Sequence, residues 1–166
     1  DHDGAQATLM ALRARGVRIA LCTNKPERFI APLLEALQWQ TLFDAIVGGD
    51  TLAERKPSPA PLLYIAERFG VPAGQALMVG DSQTDADAAQ AAGMPLLLVR
   101  YGYHHGRVPE AGDAVAFTDD LRSAIAVRAA SGVAATALST LALLYMINAV
   151  PEARRPMGIA LGVGWS

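Results

Sequence analysis

Residues 77–88 read LMVGDSQTDADA, and they decide the fold. An apolar strand (Ala76–Val79) runs into Gly80-Asp81-Ser82, and a second carboxylate, Asp85, follows four residues on as a helix begins. Two acids at the carboxyl end of a buried strand are costly unless a cation meets them. Mg2+ is the expected partner, because it is held by one or two carboxylates together with substrate phosphate oxygens.

Working outward from this turn, helix and strand alternate from Ala5 to about Ser123. Residues 5–15 have helical spacing and stop at Gly16, and Val17–Cys22 is a continuous apolar run suited to a buried parallel strand. Pro26 fits the first position of a helix whose apolar face is Phe29, Ile30, Leu33, Leu34 and Leu37. Asp44–Val47 predicts a strand, Ser58-Pro59 opens a helix that closes at Gly70, residues 84–92 predict a helix stopped by Gly93, and Pro95–Val99 predicts a strand. This period predicts an α/β fold built on a doubly wound parallel sheet. Ligands bind such sheets at the carboxyl ends of the strands. The chemistry-bearing stretches Thr23-Asn24-Lys25, Lys56-Pro57, Gly80-Asp81-Ser82 and Arg100-Tyr101-Gly102-Tyr103 all fall there.

Composition narrows the function. A net charge of −2 gives no basic footprint, so nucleic acid is excluded as an expected partner. Cys22 is the single cysteine, which rules out an internal disulfide and fits a reducing, cytoplasmic setting. Its placement suits a small apolar residue on a buried strand better than a nucleophile. No basic-then-apolar leader opens the chain. His104 and His105 are adjacent and read as loop, while Arg13, Arg15 and Arg18 read as a solvated surface cluster.

Four segments, CTNKPE (22–27), ERKPSPAPLL (54–63), MVGDSQTDADAAQAAG (78–93) and VRYGYHHG (99–106), resemble in order and spacing the haloacid dehalogenase superfamily of phosphotransfer enzymes. Within it they are most similar to the phosphoglycolate phosphatase branch. The resemblance covers about residues 4–126 and implies a Mg2+-dependent phosphatase of small phosphorylated metabolites, with 2-phosphoglycolate the expected substrate. In that family an Asp nucleophile forms an aspartyl-phosphate that water then hydrolyses. Carried onto matching positions, Thr23 and Asn24 bind phosphate and Lys56 balances its charge. Asp81 is the metal ligand, and Asp85 orients a metal-bound water or Lys56. Thr23, Lys56 and Asp85 are thus the expected catalytic set, and Asp87 is plain helix surface.

Two departures from the family stand out. Its nucleophile motif, Asp-x-Asp-Gly-Thr at the end of an apolar strand, has no good match. Asp1-His2-Asp3-Gly4 lacks a preceding strand and is followed by Ala5-Gln6, and Asp3-Gly4 fits instead a turn before the first helix. The chain is therefore expected to lack the central first strand and the cap, and to be inactive alone. Removing a central strand leaves two sheet edges without partners, at about 1–3 kcal/mol per orphaned buried group. The isolated chain should then be marginal, rearranged or dependent on another segment. The second departure is the tail, residues 127–166, expected as a separate apolar helical unit. Within it Gly132–Val150 is an uncharged stretch that as a helix would be about 28 Å long. It reads either as a membrane contact or as a buried helix whose Leu138, Leu141, Leu144 and Tyr145 cover apolar surface. An alternative function follows from these departures: a non-catalytic phosphatase-like remnant, tethered to a membrane or transporter segment.

Overall fold

The computed structural model describes residues 2–99, 115–118 and 143–145. Helix α1 spans His2–Ala14, and strand β1 spans Ile19–Cys22. A 3-10 turn at Glu27–Phe29 leads into α2, Ile30–Leu37. Strand β2 (Ala45–Val47), helix α3 (Ala60–Arg68), strand β3 (Leu77–Gly80) and helix α4 (Gln83–Ala92) follow. Strands β4 (Leu96–Val99), β5 (Val115–Thr118) and β6 (Leu143–Tyr145) complete the described elements.

The sheet has the order β2-β1-β6-β3-β4-β5, and every pairing is parallel. Successive strand residues point to opposite faces, and the packing follows that rule. Ile19 and Leu21 of β1, Leu77 and Val79 of β3 and Leu97 of β4 join Leu9, Leu12, Ile30, Leu34 and Trp39 on one side. Ala20, Cys22, Met78, Leu96 and Leu98 join Leu62, Ile65, Ala88 and Ala89 on the other. Burial on both faces explains why these strands read as continuous apolar runs rather than alternating ones. The expected α/β parallel sheet is present, with α1 and α2 contributing to one core and α3 and α4 to the other.

The structure departs from the sequence reading at four points. Helix α1 begins at His2, so Asp3-Gly4 is helical and not a turn, and Asp3 is at no strand end. Strand β5 carries no signal that the alternation reading used. Arg13 and Arg18 form no solvated cluster: Arg13 bonds the Leu42 carbonyl and the Asp44 carboxylate, while Arg18 lies over the Phe69 ring and bonds its carbonyl.

The fourth correction concerns the tail. Leu143–Tyr145, inside the stretch expected to be helical, is a strand. It lies in the centre of the sheet, pairing Ile19–Leu21 on one side and Leu77–Met78 on the other. Residues from both sides of the expected boundary at 126 therefore share one sheet. The place between β1 and β3, where orphaned strand edges were expected, is occupied by this apolar segment. Backbone donors and acceptors of two buried strands demand partners more strongly than any helical propensity of a Leu-Leu-Tyr run can resist. The remainder of 127–166 and the Arg100–Tyr103, His104 and His105 stretch lie outside the described residues. Among the described residues, no helix is long and apolar enough to cross a membrane.

Candidate active site

Strand β3 ends at Gly80, and the chain turns directly into α4. Ser82 caps that helix in extended conformation, with its hydroxyl accepting from the Asp85 N–H (3.3 Å) and donating to Asp85 Oδ2 (2.6 Å). Asp85 in turn accepts from the backbone N–H groups of Asp81 and Ser82, each at 3.2 Å. The arrangement is a capping box with an aspartate in place of the usual longer acid. Its carboxylate is fully buried, and the turn closes around it. A Cβ on Gly80 would stand 2.5 Å from the Asp85 Cβ, so only glycine lets the strand end approach so closely.

The second oxygen of Asp85 reaches across the sheet. Lys56 Nζ donates to Asp85 Oδ1 at 2.8 Å and to the Cys22 carbonyl at 2.9 Å. Lys56 is 1% exposed and is the largest fully buried side chain among the described residues. Burying both charges costs several kcal/mol per ion before their attraction repays it, so the pair is a poor device for stability alone. Its value lies in holding an ammonium at one spot at the carboxyl end of the sheet.

Thr23, the residue after β1, is 2% exposed. Its N–H donates to the Val47 carbonyl (3.0 Å), and its Oγ1 accepts from the Lys25 N–H (3.1 Å). A hydroxyl that accepts on one side still has its own hydrogen to donate. The loop is clamped from behind: Gly49 N–H donates to the Lys25 carbonyl (2.9 Å), and Glu27 N–H donates to Asp50 Oδ1 (2.7 Å). A Cβ on Gly49 would lie 2.0 Å from the Asn24 carbonyl oxygen. Asn24 itself donates from Nδ2 to the Lys56 carbonyl at 2.7 Å, at the cis Lys56–Pro57 peptide.

The fold thus gathers Thr23, Asn24, Lys56, Asp81 and Asp85 at the carboxyl ends of β1 and β3. Asp87 lies apart, its Oδ1 bonded to Gln83 Nε2 on the helix (2.8 Å). The sequence reading missed the Cys22 carbonyl, Gly49 and Asp50 as parts of the site's support. A Gly-Gly-Asp run after β2 was the available signal. Cys22 itself is buried, and burial pushes its thiol above the usual range, which suits a packing residue and not a thiolate nucleophile.

The residues fit a hard cation. Asp81 is 2% exposed; it makes contacts of its own, yet its Oδ1 is buried and accepts no hydrogen bond. Among the described residues no three acidic, His or Cys side chains cluster to enclose an ion by themselves. Mg2+ keeps several waters and takes phosphate oxygens beside one or two carboxylates, and the buried Asp81 carboxylate is a donor of that kind.

The haloacid dehalogenase-like hydrolase family matches residues 1–93, more than half of the chain. The chain belongs to the haloacid dehalogenase-like hydrolases. A phosphoglycolate phosphatase of Pseudomonas savastanoi pv. phaseolicola (strain 1448A / Race 6) is 47% identical over 124 residues, which is 75% of this chain and 46% of that protein. The chain therefore spans about half the length of the curated relatives it matches first. Among solved structures, a predicted phosphoglycolate phosphatase from Haemophilus somnus 129PT superposes with a TM-score of 0.67 at 39% identity. That match covers 74% of this chain and 55% of that one. CbbY from Rhodobacter sphaeroides, solved in complex with phosphate, superposes with a TM-score of 0.63 at 26% identity over 70% of this chain and 52% of that one.

Proposed function

We propose that this chain carries the phosphate- and metal-binding half of a Mg2+-dependent phosphatase acting on a small phosphorylated metabolite, 2-phosphoglycolate in the first instance. The observation that carries the reading is the convergence of Thr23, Lys56 and Asp81 at one end of the sheet, with Lys56 locked by Asp85. The relatives' activity as phosphoglycolate phosphatases supports the substrate, and the phosphate bound in the CbbY structure supports the ligand class.

Thr23 donates its hydroxyl to a phosphate oxygen, and Lys56 balances the charge that develops on the transferring phosphoryl group. Asp81 holds the cation, which when bound neutralises phosphate charge and orients the group for in-line transfer. Asp85 holds the Lys56 ammonium in position and fixes the Asp81 backbone by accepting its N–H. The attacking carboxylate, which would carry the phosphoryl group as an aspartyl-phosphate, is supplied by a segment other than the described residues. A second reading is a phosphate-binding remnant without turnover. It is favoured by the central strand, where Leu143–Tyr145 brings no carboxylate between β1 and β3.

The test is hydrolysis of 2-phosphoglycolate with and without Mg2+, by the chain alone and by a version extended upstream with a strand ending in Asp-x-Asp-Gly-Thr. The extended protein should turn over and the chain alone should not. In the extended protein, Asp81→Asn and Lys56→Ala should each lose about 100-fold or more, with the Mg2+ response lost in Asp81→Asn. Full activity in both variants would refute the assigned roles. An extended protein that binds phosphate without hydrolysing it would establish the remnant.

A further inference from the structure

Two residues at the end of β1, Cys22 and Asn24, hold Lys56 from both ends. The Cys22 carbonyl accepts from the ammonium (2.9 Å), and the Asn24 amide donates to the lysine's own carbonyl (2.7 Å). Thr23 sits between them. The path from Cys22 through Asn24 to the Lys56 backbone and back along its side chain is a closed ring. It fixes the ammonium relative to the Thr23 hydroxyl. Asn24 is itself immobilised, because Gly49 packs so closely behind it that a Cβ there would meet the Asn24 carbonyl oxygen at 2.0 Å.

We infer that Asn24 is a positioning residue, whose amide sets the place of Lys56 through its main chain rather than binding phosphate through its side chain. This rests on the phosphate-site reading above for its consequence, and on the hydrogen bond alone for its cause. The physical argument is one of donors. A carboxamide offers two N–H groups, and the one bonded to the Lys56 carbonyl at 2.7 Å is committed to the lysine's main chain rather than to a ligand. Lys56 carries four rotatable bonds and would lose much of its preorganisation if its backbone could shift, and preorganised charge is what makes such a group effective.

The experiment uses the full chain in two measurements. Lys25 and Lys56 are the only lysines in the sequence, so amine labelling followed by mass spectrometry reports on Lys56 with Lys25 as internal reference. Asn24→Ala should raise the labelling rate of Lys56 about tenfold relative to Lys25. Asn24→Asp should do the same, since an ionised carboxylate of equal size cannot donate; it also serves if the alanine variant folds poorly. An unchanged ratio in both variants would overturn the inference. The second measurement is the affinity for inorganic phosphate in a double-substitution cycle with Lys56→Ala. If Asn24 acts through Lys56, its replacement weakens binding about threefold to tenfold in the parent but adds nothing once Lys56 is gone. An additive loss would show a direct phosphate contact and sink the proposal. Parent chain that fails to bind phosphate would count against the proposed function, while the labelling ratio alone still decides Asn24.

Discussion

The two turns that build the site are held in opposite ways. The β3–α4 turn is closed by its own neighbours: Asp81, Ser82 and Asp85 bond one another within five residues, and Gly80 packs against Asp85. The loop after β1 is held from far along the chain. Thr23 leans on Val47, Lys25 on Gly49, Glu27 on Asp50 and Asn24 on Lys56. The first turn is a local motif that could form early and alone. The second has no shape until β2 and the segment before α3 are in place. Lys56 joins them, with its ammonium on the local turn and its carbonyl on the remote-held loop. A phosphate site that must keep a hydroxyl and an ammonium at fixed separation needs both kinds of support. Local bonds aim a group precisely within its turn, and only tertiary bonds fix two turns relative to each other.

This contrast can be broken most severely at the joint. Asp85→Ala leaves the Lys56 charge buried without its carboxylate and strips the turn of its acceptor, and should cost about 3–5 kcal/mol in urea unfolding. Replacing both partners, Lys56→Met with Asp85→Leu, should recover part of that stability, because an apolar pair of similar volume carries no desolvation penalty. If the double variant were as unstable as the single one, the turn's N–H donors left without the Asp85 carboxylate, and not the broken ion pair, would be the greater part of the loss.

A smaller effect tests the remote-held loop. Gly49→Ala places a methyl within 2.0 Å of a backbone oxygen, so the loop after β1 must move. Forced repacking of this kind costs about 1–3 kcal/mol, and here it should also weaken phosphate binding, since Asn24 and Thr23 shift together. Stability loss with unchanged phosphate affinity would mean that the loop relaxes away from the site.

The smallest effect belongs to the local turn's cap. Ser82→Ala removes one capping partner and should cost about 1 kcal/mol, with Asp85 still held by Lys56 and two backbone N–H groups. Asp87→Asn, further along the helix and bonded to exposed Gln83, serves as the control and should fall within about 0.5 kcal/mol of the parent.

By itself the sequence determined the local turn and the strand-and-helix alternation. Gly80-Asp81-Ser82 and Asp85 announce a strand end, a cap and a buried acid, because the bonds that make them span at most four residues. Apolar runs such as Ile19–Cys22 announce a sheet buried on both faces because periodicity is also a local property. Lys56 could be placed near the site by its motif, but not on Asp85, 29 residues away. The role of Gly49 and the engagement of Asn24 depend on contacts that no spacing rule encodes. Tertiary structure alone decided the fate of Leu143–Tyr145. As a sequence it sits within an uncharged stretch of helical or membrane character; as part of a sheet it meets two strands whose unpaired N–H and C=O groups require a partner. A short apolar segment takes the backbone geometry its neighbours can satisfy, and in the centre of a parallel sheet that geometry is a strand.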